Sequence, residues 1–312
     1  MAKGTERRMV LVTRRTRVDE LIARHNTLAQ ARFVIESQGL AFDDYLAEDQ
    51  VFKSQLAKLK TELDRFGRLH HIDRGLVPGY LFRDDDIVLA LGQDGLVANT
   101  LKYLDGQPLI AVNPDPDRYD GILLPFVVDD ALTIIKEVLN GRRKTQVITF
   151  GEVKLNDGQQ LLAVNDFFIG VKGHSSARYE IIVDGKRERQ SSSGIIVSTG
   201  LGSTGWFKSV MTGAARIAQA MGQVPPDASY EPRMSWDSDI LLYSVREPFP
   251  SAYTGTELTF GRVTNNRKLE IVSNMPADGI IFSDGVEQDY LEFNTGQIAT
   301  IGVATRGGQL VL

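Results

Sequence analysis

Apolar and polar residues follow two rhythms along this chain, and the change falls near residue 141. Before it, short apolar runs stand apart, separated by amphipathic segments. Met9–Thr13 (MVLVT), Ile87–Leu91 (IVLAL) and Pro108–Asn113 (PLIAVN) are runs of the kind found in strands buried on both faces. Leu69–Ile72 is a shorter fourth candidate. Between them apolar residues recur at helical spacing. Val18, Leu21, Ile22, Leu28 and Ala29 do so across Val18–Ala31, and Tyr45, Leu46, Val51, Phe52, Leu56, Leu59 and Leu63 across Asp43–Phe66. Val97, Leu101 and Leu104 follow Gly95, and Leu132, Ile135 and Leu139 mark Asp129–Asn140, which Gly141 closes. Phe33-Val34-Ile35, aromatic and β-branched ahead of Gly39, predicts a short strand between the first two helices. Strands alternating with helices predict a Rossmann-like parallel sheet with helices on its faces.

Beyond Gly141-Arg142-Arg143 the segments shorten and hairpin signals take over. Asn156-Asp157-Gly158 separates Thr145–Leu155 from Gln160–Ile169, and Asp184-Gly185 follows Arg178–Val183. Asp284-Gly285 separates Gly279–Ser283 from Val286–Phe293. One helical stretch, Ser203–Met221, interrupts this β-rich half, and Pro225-Pro226 is expected to end it. The pattern predicts an α/β domain over 1–141 and an antiparallel, β-sandwich-like domain with one embedded helix over 142–296. A C-terminal segment, 297–312, is placed so that it can return to the first domain.

Composition narrows the function classes. A chain of 312 residues, 42% hydrophobic and 24% charged, is globular and long enough for two cores. A formal net charge of −5 argues against an electrostatic nucleic-acid binder. There is no cysteine, which excludes a disulfide framework, a thiolate nucleophile and a cysteine zinc site. Four histidines, two of them the neighbours His70 and His71, give no metal-ligand spacing. No apolar run approaches membrane-spanning length, and MAKGTERRMVLV has no signal-like apolar stretch. A cytoplasmic enzyme with neither membrane nor nucleic-acid partner is the expectation.

Three stretches carry candidate chemistry. After Ile87–Leu91 comes Gly92-Gln93-Asp94-Gly95 and then a helix. Strand, glycine turn and helix bring backbone N–H groups up to a phosphate. Asp94 inside that turn would repel a phosphate, so it either acts on a nearby hydroxyl or metal or simply caps the helix. In AVNDFFIG, Asn165 offers donor and acceptor, suited to an adenine or carboxamide edge, while Asp166 offers two acceptors for ribose hydroxyls. The bland alternative is an ordinary strand-end turn. In GIIVSTGLGSTGWFKS, a strand at Ile195–Ser198 enters a loop of small and hydroxyl residues, then a helix that Ser203 or Thr204 could cap. Trp206 there is either a flat surface for a base or nicotinamide, or plain core. Arg14, Arg15 and Arg17, at the carboxyl end of the first strand, either face a ligand crevice or form a solvated basic loop.

In this order and spacing the three stretches resemble the NAD kinase family, whose members carry GGDGT, then an Asn–Glu/Asp pair, then a strand running into a TPTGSTAY-like loop. Here these stand as Gly92-Gln93-Asp94-Gly95-Leu96, Asn165-Asp166 and Thr199-Gly200-Leu201-Gly202-Ser203-Thr204-Gly205-Trp206. The flanks VTRRTR (12–17), VNPDPDRYDG (112–121), SSARYEIIVDG and SSGIIVSTGLGS look most like the mitochondrial type and its bacterial relatives. The resemblance runs from Met9 to Phe293. It implies Mg²⁺-dependent transfer of a phosphoryl group from ATP or polyphosphate to the adenosine-ribose 2′-hydroxyl of NAD(H). It makes Asp94 the proton acceptor and gives Asp166 the ribose hydroxyls. Asn165, Thr204 and Gly205 would hold the adenine, with Gly95 beside the dinucleotide and Trp206 and Ser209 toward its nicotinamide half. Gly92, Gln93, Gly202 and Ser203 would face phosphates, Mg²⁺ would ride on the donor phosphates with no protein metal site, and the active site would lie at the domain seam of a homodimer or homotetramer.

The chain departs from the family pattern at Gln93, where the second glycine is expected, and at Leu96, where threonine is. Gly200 and Leu201 replace proline and a hydroxyl residue, Gly205 and Trp206 replace alanine and tyrosine, and Ser193 stands where an acid is often found. Two alternatives follow: a lipid or sugar kinase of the same superfamily, or a nucleotide-binding homologue in which Gln93 and Leu96 have ended catalysis.

Overall fold

The structure, a computed structural model, describes residues 5–225 and 234–312. The chain divides into two compact units, 1–146 with 309–312 and 147–308. The first contains β1 (Thr5–Thr13), α1 (Arg17–His25), α2 (Leu28–Ser37), α3 (Asp43–Phe66), β2 (Gly67–Asp73), β3 (Ile87–Leu91), α4 (Asp94–Leu101), β4 (Pro108–Asn113), β5 (Phe126–Val127) and α5 (Ala131–Leu139).

β1 pairs in parallel with β2 and β3, β3 with β4, and β4 with β5. On one face Met9, Leu11, Leu89, Ile110 and Val112 pack against Leu59, Leu63 and Phe66 of α3 and Ala131, Ile134 and Ile135 of α5. Alternate residues Val10, Val12, Val88, Ala90 and Ala111 are equally buried. Strand alternation turns them to the other face, where α4 packs on β3 and β4. Burial on both faces is why these strands read as unbroken apolar runs.

Two expectations about the early helices are corrected. Val18–Ala31 is not one helix: Asn26 adopts a left-handed φ of 67° and ends α1, and Thr27 caps α2 by accepting from the Gln30 N–H at 3.2 Å. Phe33-Val34-Ile35 lies inside α2 rather than in a strand. Ala31 and Ile35, one helical turn apart, enter a cluster with Val18 and Phe42, and Phe33 faces solvent. The i, i+4 burial of that face outweighs the β preference of three residues.

The second unit contains the rest: β6 (Thr145–Leu155, its first two residues in the first unit), β7 (Gln160–Ala163), β8 (Asp166–Val171), β9 (Ala177–Val183), β10 (Lys186–Ser192), β11 (Ile195–Ser198), α6 (Trp206–Ala220), β12 (Leu241–Val245), β13 (Phe260–Val263), β14 (Leu269–Ser273), β15 (Gly279–Ser283), β16 (Val286–Glu292) and β17 (Ile298–Val311). One sheet has the order β10-β9-β14-β17-β6-β7 and the other β13-β12-β11-β8-β15-β16. Between them lies an apolar core that includes Phe167, Ile169, Tyr179, Ile181, Val197, Tyr243, Ile271 and Ile281. α6 covers the outer face of the second sheet through Phe207, against Phe168, Ile196, Leu242 and Phe282. It ends at Ala220, ahead of Pro225; Pro226 lies outside the described residues. The end of β17 falls in the first unit, where Gln309 and Leu310 pair in parallel with Pro108 and Leu109. Among the described residues no helix is long and apolar enough to cross a membrane.

Candidate functional site

In the first unit the loop after β3 is short because β3 runs straight into α4. Gly92 is buried, with its N–H on the Val112 carbonyl at 3.2 Å. Gln93 precedes the helix at φ −115° and ψ 167°, ordinary extended backbone, so this turn asks for no glycine there. The Tyr119 hydroxyl, near the Gln93 side chain, donates to Glu48 at 2.9 Å; burial and the Glu48 carboxylate raise the Tyr119 phenol. Asp94 is the first helical residue, and no side chain caps α4. Its Oδ1 instead accepts the Leu123 N–H at 3.0 Å, from the loop after β4. One carboxylate oxygen is thereby held and the other left to accept. Gly95 is exposed with open space at its Cα, and the N–H groups of Asp94 and Gly95 belong to a first turn that has no intrahelical acceptors.

Of the three arginines after β1, Arg17 starts α1 and is committed to Glu48 and to Asp44 at 2.9 Å, over the Tyr45 ring. Arg118 and then Arg17 pull Asp44 down to about 2. Arg15 is exposed, and Arg14 is half-buried close enough to Tyr119 to oppose the rise of its phenol.

In the second unit the expected strand Gln160–Ile169 is broken at Val164-Asn165. The cause is Asp284, in the hairpin turn after β15 at a left-handed φ of 55°. Its carboxylate accepts the N–H of Val164 at 3.0 Å, of Asn165 at 2.6 Å and of Asp166 at 3.4 Å. The Asp284 N–H in turn donates to the Asp166 carbonyl at 3.0 Å. Three successive amides aimed at one anion form a nest. In the sequence Asp284-Gly285 shows only as a turn, since nothing in a hairpin dipeptide tells which distant amides its carboxylate will meet.

The break leaves Asn165 half-buried, with no hydrogen bond to its side-chain amide among the described residues. Asp166 is 6% exposed, and its carboxylate likewise meets no donor there. Burial first, and the Asp284 carboxylate second, push Asp166 up to about 7. A buried acid without a donor is a group awaiting one.

The loop after β11 is tied to the same break. Thr199 N–H and Oγ1 reach the Asn165 carbonyl at 2.9 and 3.1 Å, and Oγ1 the Val164 carbonyl at 2.6 Å. A Cβ on Gly202 would stand 2.0 Å from the Asn165 carbonyl oxygen, so only glycine fits this crossing. The expected helix cap is corrected: Gly205, not Ser203 or Thr204, precedes α6, and no side chain caps it. Ser203 is buried, donating to the Gly200 carbonyl at 2.7 Å and accepting the Met234 N–H at 3.3 Å. The Gly202 N–H is spent on Thr199 Oγ1 at 3.2 Å. Thr204, Gly205 and Ser209 are exposed and Trp206 half-buried. Trp206 stacks on Phe168 at 5.8 Å between ring centres.

No protein-family model matches the chain, and no curated protein matches it. Solved structures do. Yeast NADH kinase, solved in complex with NADH, superposes with a TM-score of 0.61 over 98% of this chain and 84% of that one, at 16% identity. An NAD kinase from Archaeoglobus fulgidus, solved in complex with ATP, matches with a TM-score of 0.56 over 98% and 93% of the two chains, at 17% identity. The fold of this chain is that of the NAD kinases: an α/β unit with a parallel sheet and a β-sandwich unit carrying one helix.

Proposed function

We propose that this protein is an NAD(H) kinase that phosphorylates the adenosine-ribose 2′-hydroxyl at the expense of ATP. The observation that carries the reading is Asp166: a buried carboxylate beside the open Asn165 amide, with its backbone clamped by Asp284 and no donor of its own. Vicinal ribose hydroxyls supply two donors to such a group, and an adenine edge satisfies the amide. The fold shared with kinases solved with NADH and with ATP supports the same chemistry.

In this reading Asp94 orients the 2′-hydroxyl and accepts its proton as the phosphoryl group arrives in line. The Leu123 N–H holds the carboxylate for that task. The first-turn N–H groups at Asp94 and Gly95 face phosphate, while Thr204 and Gly205, exposed ahead of α6, contact the adenine side. Mg²⁺ belongs to the reading as an ion that the donor phosphates would hold and whose charge would offset theirs. The test is incubation of the purified protein with NAD or NADH, ATP and Mg²⁺, with NADP or NADPH read by a coupled dehydrogenase. Product formation is expected, and binding without turnover would replace the kinase with a nucleotide-binding protein.

A further inference from the structure

Phe168 follows Asp166 by two residues on β8, so the two side chains share one face of the sheet about 7 Å apart. On that face Phe168, Trp206 and Phe282 stack into an aromatic floor, with ring centres 5.1 to 6.4 Å apart. With Val171 and Ile280 they line a cavity of about 360 Å³. Its two charged lining residues are both cations, Lys172 and Arg246. The Arg246 guanidinium lies 5.6 Å from the Trp206 ring centre, and Lys172 Nζ lies 3.7 Å from that of Tyr290. Among the described residues no carboxylate lines the cavity. Glu247 approaches Arg246 only to 3.9 Å and is itself 69% exposed.

We infer that this pocket selects the reduced, uncharged nicotinamide over the oxidised, cationic ring, making NADH the preferred acceptor. The inference rests on the NAD(H) kinase reading, which puts the adenosine ribose at Asp166. A dinucleotide anchored there and running along the same face presents its second ring to the aromatic floor. Oxidised nicotinamide carries a positive charge that two cations repel. The tryptophan face that could offset this by cation–π attraction is already taken by Arg246. The neutral dihydropyridine meets no repulsion and buries more apolar surface on the floor.

The experiment compares kcat/KM for NADH and NAD in the wild type, in Arg246→Gln and in Arg246→Gln/Lys172→Gln. The wild type is expected to prefer NADH by about tenfold or more, the effect of one contact-range charge in a partly screened site. The double variant should bring the two substrates within about threefold, chiefly by gain toward NAD. A wild type that uses both equally or prefers NAD overturns the inference and leaves the kinase reading intact; so do variants that lose both substrates in parallel. If neither dinucleotide is phosphorylated, the kinase reading fails by itself, and titration calorimetry with NADH and NAD decides the pocket. Tighter NADH binding that the double variant abolishes supports selection of the reduced ring, and equal affinities overturn it.

Discussion

Asp94 and Asp166 are both acids of candidate importance, and their surroundings set them different tasks. Asp94 is half-buried with one oxygen on the Leu123 N–H. Asp94→Asn preserves shape and the acceptor for that N–H but removes the proton acceptor. Turnover should fall by about 10²–10⁴-fold with Tm nearly unchanged; retained turnover would leave Asp94 a purely structural role. Asp166 is raised from an ordinary carboxylate value of 3.8 to about 7 by burial and then by Asp284. Between those values the folded protein keeps a proton that the unfolded chain has released. Stability linked to this group is therefore fully present below about pH 4 and is lost as pH rises through about 7. Asp166→Asn removes that dependence. Its Tm should be flatter across pH 4 to 8 and higher above pH 7, by on the order of a few kcal/mol in stability, while dinucleotide affinity falls. Parallel pH profiles for the two proteins would show that Asp166 ionises normally.

At the scale of elements, the two loops of the second unit are built around backbone rather than around side chains that could touch a ligand. The break between β7 and β8 persists because Asp284 gathers three amides. Asp284→Asn can still adopt the left-handed turn but loses the charge, so a loss of about 1–3 kcal/mol is expected in urea unfolding. The same change should lower the Asp166 titration, which carbonyl-region NMR or infrared spectroscopy across pH would follow. The crossing of the Thr199–Gly205 loop over Asn165 admits only glycine at 202. Gly202→Ala must push the loop off the Asn165 carbonyl, and both stability and dinucleotide binding should suffer, while the same change at Gly95, with open space around it, should leave Tm nearly unchanged. Gln93 is the counter-example: its extended backbone gives a glycine no advantage, so Gln93→Gly should not raise turnover by relieving strain.

At the scale of the whole molecule, one strand closes the chain in two cores at once. β17 lies in the second unit through Gly308, and its last residues complete the sheet of the first, where Leu310 and Val311 are fully buried. Removing 309–312 should destabilise the first unit by several kcal/mol, about 2–5 for each aliphatic side chain lost, visible as a lowered first transition in calorimetry. What the sequence determined alone was whatever needs only local rules. β3 and β4 were legible because burial on both faces leaves no polar residue to blur the run, and the hairpins because Asp-Gly and Asn-Asp-Gly turns announce themselves. The strand running through a glycine turn into a helix at Asp94 and the strand Ile195–Ser198 ahead of its small-residue loop were legible too, since each is a pattern of neighbours along the chain. Only the tertiary structure decided that Phe33-Val34-Ile35 is helical, because the burial of Ile35 depends on Val18 and Phe42. Only it could show Ser203 turned inward, or Asp284 clamping amides 120 residues away. Such contacts join residues whose separation along the chain carries no periodic signal, and their energies exist only once the backbone has closed around them.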